Sequence, residues 1–304
     1  MTEQNPRRIA SLARAAALAL GALALLSSEV AAQQVVNLIA APFNKSITLP
    51  NGTAVSVPMW GFAEDVNGNG VIDGPEAATA PGPRITVAPG TTSLTVTLKN
   101  ELPEPASFVI LGQEASGAPS YNADGRIRSM APEAAASGGT ASYSFSGLKP
   151  GTFLYESGSH QAVQVQMGLY GALTLDAGAS LAYPAAPGVL ADTGVPYANE
   201  LLLLVSEIDV ALHRAVAAGT YGNPLAGPTS TIDFAPSIFL VNGTSYTTGS
   251  APLAAGASGQ RTLVRLLNAY DALLSARNRF LGRDRRLFHF THPFLYLHNH
   301  PVGC

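Results

Sequence analysis

The sequence is short of charge, cysteine and aromatic residues. Only 12% of its 304 residues are charged, and 17 Lys and Arg against 20 Asp and Glu give a formal net charge of -3. A chain without an excess of basic residues has no electrostatic basis for binding a phosphate backbone, so we expect no nucleic-acid partner. The single cysteine, Cys304, excludes an internal disulfide, and burial and strand pairing must therefore hold the fold together.

Long hydrophobic runs are also absent, with one exception near the start of the chain. The apolar run 15–26 follows Arg7, Arg8 and Arg14 and precedes small residues that end at Ala32. This arrangement is typical of a secretory signal, and the run is shorter than the roughly 20 residues that a membrane span needs. We predict a signal peptide over residues 1–32, export to the periplasm or the extracellular space, and no stable membrane span. The alternative is an uncleaved amphipathic anchor.

Turn residues between short alternating runs are abundant. The chain contains 30 Gly and 22 Pro. Runs such as Leu94–Leu98 alternate apolar and polar residues, which is the pattern of a strand with one buried and one exposed face. Many short strands between Gly and Pro turns predict a mainly β fold, namely a β-sandwich with Greek-key connections.

The length predicts two domains, and the composition suggests where they divide. An Ala-, Gly- and Pro-rich stretch, residues 179–198, predicts a linker. Residues 33–178 then form one full domain, and residues 199–268 form a second, partial one with the apolar run 200–205 as its central strand. Residues 269–304 form an atypical tail that holds four of the six histidines and five closely spaced arginines. This tail is either a distinct basic element or the product of a frameshift that truncates the ancestral domain.

The most specific motif in the chain begins at Gly151. It reads Gly-Thr-Phe-Leu-Tyr, continues to His160, and then places Gln164 and the pair Gly168-Leu169 at fixed spacing. An upstream segment, residues 81–100, carries a Pro-Gly turn followed by two runs typical of strands. Together these segments closely resemble the plastocyanin-like, or cupredoxin, first domain of the multicopper oxidase family. The resemblance extends over residues 45–268 and implies a cupredoxin-like β-sandwich.

In that family the motif carries a His-x-His pair, and the resemblance implies copper as the cofactor. Residues i and i+2 of a strand project from the same face, so such a pair can hold two copper ions. Here Gly158 stands at the first position and only His160 remains, while Ile110–Gln113 stands where the family carries a second pair. His160 is therefore the candidate copper ligand, and its alternative role is that of a hydrogen-bonded structural residue.

The resemblance also bears on activity and partners. It implies an exported, copper-dependent oxidoreductase that uses a small reducing substrate and dioxygen. The His-Cys-His sequence of a blue-copper site is missing, so we expect this chain not to be catalytically complete, and no catalytic residue can be assigned. An oligomer is a further expectation, because some copper proteins complete a cluster between subunits.

A second, unrelated pattern spans residues 65–76. Its oxygen-bearing side chains fall at the spacing of a twelve-residue EF-hand loop, but its flanks resemble strands rather than helices. The candidate calcium ligands are Asp65, Asn67, Asn69, the backbone carbonyl of Val71, Asp73 and Glu76. Two interpretations stay open. The segment is either an Asn- and Gly-rich surface turn or a calcium loop in a non-catalytic, calcium-stabilised β-sandwich binding protein of the cell envelope.

Overall fold

The computed structural model describes residues 32–49, 51–188, 194–246 and 250–269. The predicted signal peptide, apart from Ala32, and the predicted tail, apart from Ala269, lie outside these ranges. The described residues from Gln33 onward belong to one compact unit. Where the chain is described, no helix has both the length and the apolar character needed to cross a membrane.

The fold is mainly β, as predicted, with fourteen strands and two short α-helices in the described ranges. The strands are β1 (Ala32–Thr48), β2 (Ala54–Glu64), β3 (Ile85–Val87), β4 (Thr91–Asn100), β5 (Val109–Ile110), β6 (Ser120–Tyr121), β7 (Ile127–Ser129), β8 (Gly139–Ser146), β9 (Gly151–Glu156), β10 (Tyr170–Leu175), β11 (Asn199–Ile208), β12 (Ile238–Val241), β13 (Thr244–Ser245) and β14 (Thr262–Asn268). The helices are α1 (Gln161–Met167), α2 (Val210–Ala217) and a 3₁₀ helix (Thr231–Asp233).

Two four-stranded sheets form a sandwich in the first part of the chain. Their strand orders are β2-β1-β4-β8 and β3-β10-β9-β5, and the chain passes back and forth between them as Greek-key connections require. β4 alternates as its sequence predicts, so Leu94, Val96 and Leu98 are fully buried between the sheets. The prediction of a β-sandwich is confirmed.

Aromatic rings fill the centre of the sandwich and explain part of the sequence motif. The ring of Tyr155 lies 5.2 Å from that of Phe108 and 5.7 Å from that of Phe62, between centroids. The Tyr155 hydroxyl donates to the carbonyl of Pro83 at 2.6 Å. Gly171 lies opposite Tyr155 on β10, where a Cβ would come within 2.2 Å of the phenol oxygen. The tyrosine and this glycine are therefore a packing pair.

A third sheet follows, with the strand order β13-β12-β11-β14. β11 is central, as its apolar run predicts, and it pairs parallel to β14 and antiparallel to β12. Leu204 of β11 packs with Leu154, Tyr170 and Ala172 of the sandwich. Arg265 of β14 forms ion pairs with Asp176, which follows β10 of the sandwich, and with Glu200 of β11.

Candidate metal sites

His160 lies after β9 and forms the N-cap of α1. Its backbone is left-handed, with φ 41° and ψ 47°, and Ser159 forms a bridge with Ser129. β9 ends at Glu156 and the chain turns before it reaches the histidine, so Gly158 and His160 do not continue this strand as an i, i+2 pair.

The imidazole of His160 is half-exposed and has one acidic neighbour. Its Nδ1 lies 3.4 Å from Oε1 of Glu104, and this contact raises the pKa of His160 although partial burial opposes the rise. Burial raises the pKa of Glu104, but hydrogen bonds from His160 and Gln164 outweigh it, and the net pKa is lowered. A carboxylate that orients an imidazole is a common arrangement behind metal ligands, so His160 alone has the chemistry of one ligand.

Gly158, where the family carries its other histidine, has no space for a side chain. A Cβ at this position would lie 2.9 Å from the Ser107 Oγ and 2.9 Å from the Val109 Cγ1. The Met130 Cβ would be 3.2 Å away. An imidazole extends well beyond its Cβ, so a histidine at position 158 would require strand β5 and the segment after β7 to move.

Buried serines and one glutamate fill the space beside this glycine. The Ser159 Oγ donates to Oε1 of Glu133 at 2.9 Å. It also lies 3.0 Å from the Ser129 Oγ and 3.1 Å from the Ser107 Oγ. The Ser107 and Ser129 hydroxyls are 2.8 Å apart, and all three serines are at most 1% exposed. On the solvent side, Glu133 forms an ion pair with the exposed side chain of Arg128. We call Ser107, Ser129, Ser159 and Glu133 the serine–glutamate network.

The described residues do not fit the copper pair that the resemblance implies. Within those ranges, no three His, Cys, Asp or Glu side chains gather closely enough to hold a metal ion. Hydroxyl and amide groups are weak substitutes for imidazole on copper. At the second ligand position, Gln113 donates through Nε2 to the Lys149 carbonyl and accepts from the Lys149 amide. It closes a surface turn and is engaged at both ends.

Sequence reasoning missed most of the groups around His160. Glu104, Ser107, Ser129 and Glu133 come from separate segments, and no local pattern marks them as a unit. The motif itself gave one signal, because Ser157 and Ser159 flank the glycine. Ser157 donates to Oε1 of Gln164 at 2.6 Å, so this glutamine has a hydrogen-bonding role that needs no metal.

The candidate calcium loop lies between β2 and β3, without flanking helices, as predicted. Asp65 is 6% exposed, and its two carboxylate oxygens accept from the amides of Asn69 at 3.1 Å and Gly70 at 2.8 Å. These bonds curve the loop sharply around the glycine. Lys99 donates to the Gly70 carbonyl at 2.7 Å and fixes the loop to β4.

The remaining loop side chains bond to one another. Asp73 accepts from the side-chain amides of Asn67 at 3.1 Å and Asn69 at 2.8 Å. Glu76 accepts from the amide of Val66 at 2.8 Å and from that of Asp73 at 3.3 Å. The predicted ligand side chains thus belong to one closed loop, with their oxygens engaged by N–H groups.

Residues 77–180 match the sequence model of the multicopper oxidase family. The matched segment includes the upstream strands and the motif around His160, which confirms the resemblance there. Copper is the cofactor that this resemblance implies. No curated protein matches the chain significantly.

Solved structures similar to this chain include several copper proteins. One is a multi-copper oxidase from Pseudomonas thermotolerans, with TM-score 0.47 and 21% identity over 79% of this chain and 47% of that one. Another is a copper nitrite reductase from Nitrosomonas europaea, with TM-score 0.47 and 17% identity over 78% and 67%. A third is a blue copper oxidase from Nitrosomonas europaea, with TM-score 0.49 and 16% identity over 78% and 61%. The chain thus spans about half to two thirds of the length of these proteins.

Proposed function

We propose that this chain is an exported multicopper-oxidase-like protein whose described residues do not hold the copper pair of the family. The match over residues 77–180 supports the family part of the proposal. The packing of Gly158 supports the absence of the copper pair, because a Cβ there would already lie 2.9 Å from Ser107 and Val109. The serine–glutamate network stands where the resemblance implies a copper ligand.

Oxidoreductase chemistry in such a protein depends on ligands from outside the described residues. A second subunit would supply them. The proposal therefore includes an oligomer in which a partner completes the site. It also includes a small reducing substrate and dioxygen, which the family resemblance implies.

Dioxygen uptake tests this proposal. Mature protein, with and without added copper, is supplied with a phenolic substrate while its oligomeric state is measured by light scattering. We expect no uptake above that of free copper from a monomer, and uptake only from an assembly that retains copper. Sustained, copper-dependent uptake by the monomer would contradict the proposal, because it would require a complete site within one chain.

The predicted organisation of the chain remains part of the proposal. The domains would be residues 33–178 and 199–268, joined by the linker 179–198, with cleavage of the signal after Ala32. Amino-terminal sequencing of the secreted protein tests the cleavage, and a sequence that begins at Gln33 is expected. Retention of Arg14 in the exported protein would support an uncleaved anchor instead.

A calcium-stabilised binding protein is the second candidate function. The observation that favours it is that hydrogen bonds link Asp65, Asn67, Asn69, Asp73 and Glu76 in one closed loop at EF-hand spacing. Calorimetry with the wild type and with Glu76→Gln tests it. We expect calcium binding that the variant weakens, because position 12 supplies two oxygens in such loops. No heat at millimolar calcium would remove this candidate.

A further inference from the structure

We propose that Asn67 is a site of spontaneous deamidation and that the fold protects the other Asn-Gly pairs. Asparagine followed by glycine is the sequence most prone to this reaction, because glycine offers no side chain to hinder attack by its amide nitrogen. The chain contains four such pairs, at Asn51, Asn67, Asn69 and Asn242. The four positions differ in the hydrogen bonds made by the attacking backbone N–H or by the asparagine side chain.

The reaction needs only water as a co-reactant. The backbone N–H of Gly68 loses its proton to hydroxide, and the nitrogen attacks Cγ of Asn67. The bond from Cγ to the side-chain nitrogen breaks, and that nitrogen leaves as ammonia after it takes a proton from water. The succinimide ring that forms is then opened by water, which leaves aspartate or isoaspartate at position 67.

Three of the four asparagines share the same activated side-chain carbonyl. The Oδ1 atoms of Asn51, Asn67 and Asn69 each accept from the backbone N–H two residues later, at 3.0, 2.9 and 2.8 Å. This N–H polarises the carbonyl and stabilises the negative charge that develops on its oxygen during attack. The carbonyl is therefore activated in the same way at the three positions. Asn67 and Asn69 also both donate from Nδ2 to Asp73, at 3.1 and 2.8 Å, so Asn69 is the matched control for Asn67.

The attacking nitrogen differs among the same three positions. The amide of Gly52 donates to the Leu49 carbonyl at 2.9 Å, and the amide of Gly70 donates to Oδ2 of Asp65 at 2.8 Å. The amide of Gly68 makes no hydrogen bond within the described residues. An N–H that donates a hydrogen bond must break it before the nitrogen can attack, so only Gly68 begins the reaction without that cost.

Asn242 is protected in a different way. Its Oδ1 accepts from the Leu204 amide at 2.8 Å, and its Nδ2 donates to the Leu202 carbonyl at 2.7 Å. Both bonds pair the side chain with the backbone of β11, so attack at Asn242 requires this strand contact to open, whereas the side-chain bonds of Asn67 lie within its own loop. Deamidation at Asn242 therefore reports unfolding.

Deamidation would change the loop in a defined way. The Asn67 amide donates to Oδ1 of Asp73 at 3.1 Å. Its replacement by a carboxylate removes the donor and places two negative groups face to face, and isoaspartate also inserts an extra backbone carbon. We expect the loop 65–76 to open after the reaction, independently of whether it binds calcium.

Peptide mapping of aged protein tests the proposal. Mature wild-type protein is incubated in mildly alkaline buffer, with and without denaturant, and each peptide is analysed for the mass gain that replacing NH₂ with OH produces. In the folded protein we expect Asn67 to react roughly 2- to 10-fold faster than Asn51 or Asn69, the factor that one net hydrogen bond on the nucleophile implies. In denaturant all four positions should react at similar rates. Equal rates at Asn51, Asn67 and Asn69 in the folded protein would overturn the proposal.

The variant Asp65→Asn extends the test to a gain of reactivity. It keeps Oδ1 but removes the acceptor of the Gly70 amide, so Asn69 should then react as fast as Asn67. Asn242 serves as the folding control in the same digest. If Asn69 of this variant deamidates slowly while Asn242 stays unreacted, the proposal is contradicted. If Asn242 reacts because the variant unfolds, the wild-type comparison of Asn67 with Asn69 decides.

Discussion

The hydroxyl of Ser159 donates a hydrogen bond to Glu133 at 2.9 Å, next to the position where the family resemblance implies a copper ligand. Ser159 is buried and the Glu133 side chain is only 7% exposed, and both have further partners in the network or in Arg128. A polar cluster whose members satisfy one another stabilises a fold, whereas removal of one member leaves the others buried without partners. The network therefore has a structural role that can be measured.

Glu133→Ala should destabilise the protein by about 2–3 kcal/mol, because Ser159 and Arg128 would lose a charged hydrogen-bond partner. Glu133→Gln keeps an acceptor for Ser159 and should cost less. Urea denaturation followed by circular dichroism measures both. An alanine variant as stable as the wild type would show that the network is not required for the fold.

Gly158→Ala should destabilise the protein by about 1–3 kcal/mol, the usual cost of overpacking. The added methyl group would meet the Ser107 Oγ and the Val109 Cγ1 at 2.9 Å. Ser107→Gly in the same chain removes one of these contacts, so the double variant should lose less stability than the sum of the two single ones. Simple additivity in thermal melts would contradict the steric account.

Arg265→Met should cost about 3 kcal/mol or more, because it leaves Asp176 and Glu200 without their buried cation. The Arg265 side chain is only 2% exposed, and its Nη2 lies 2.5 Å from Oδ1 of Asp176. Arg84 also pairs with Glu200, at 2.7 Å, but its side chain is 34% exposed. Arg84→Met is therefore the matched control and should cost less than about 1 kcal/mol. Equal losses in urea denaturation would contradict the role of burial.

Stability should fall at mildly acidic pH because of His213. Its side chain is fully buried, Nδ1 lies 2.9 Å from the Pro58 carbonyl, and burial lowers the pKa of His213. The unfolded chain, with a histidine pKa of about 6.5, then binds a proton that the folded chain does not. Stability is thus present above that pH and is lost as the pH falls through the lowered pKa.

The variant His213→Asn retains an N–H donor near Pro58 but does not titrate. Its unfolding free energy should therefore change less than that of the wild type between about pH 7 and pH 5. Parallel curves for the two proteins would show that another group causes the loss.

The sequence predicts strands where their pattern is local. β4 alternates at period two, and β12 and β13 are joined by Asn242-Gly243, a pair typical of tight hairpin turns. β1, which begins at Ala32, has no such local pattern along its whole length. Residues 38–41 of this strand are buried on both faces, so the sequence there does not alternate.

The candidate site could be predicted only in part, for a related reason. His160 was found from its spacing in a motif, but its place at the N-cap of a helix follows from contacts with distant residues. Glu104 lies far from His160 in the chain, and Ser129 lies 30 residues before its partner Ser159. Such contacts leave no periodic signal in the sequence. The residues of the loop 65–76 are contiguous, so their proximity follows from the sequence, while calcium binding there stays a prediction.

Copper retention by the secreted protein tests the central claim most directly. Wild type and His160→Ala are loaded with copper, passed over a desalting column and analysed for copper per chain by atomic spectrometry and electron paramagnetic resonance. The account predicts the same copper content and the same spectrum for the monomers of both proteins, because the described residues of one chain form no copper pair around His160. A copper ion that the wild type retains and His160→Ala loses would contradict it.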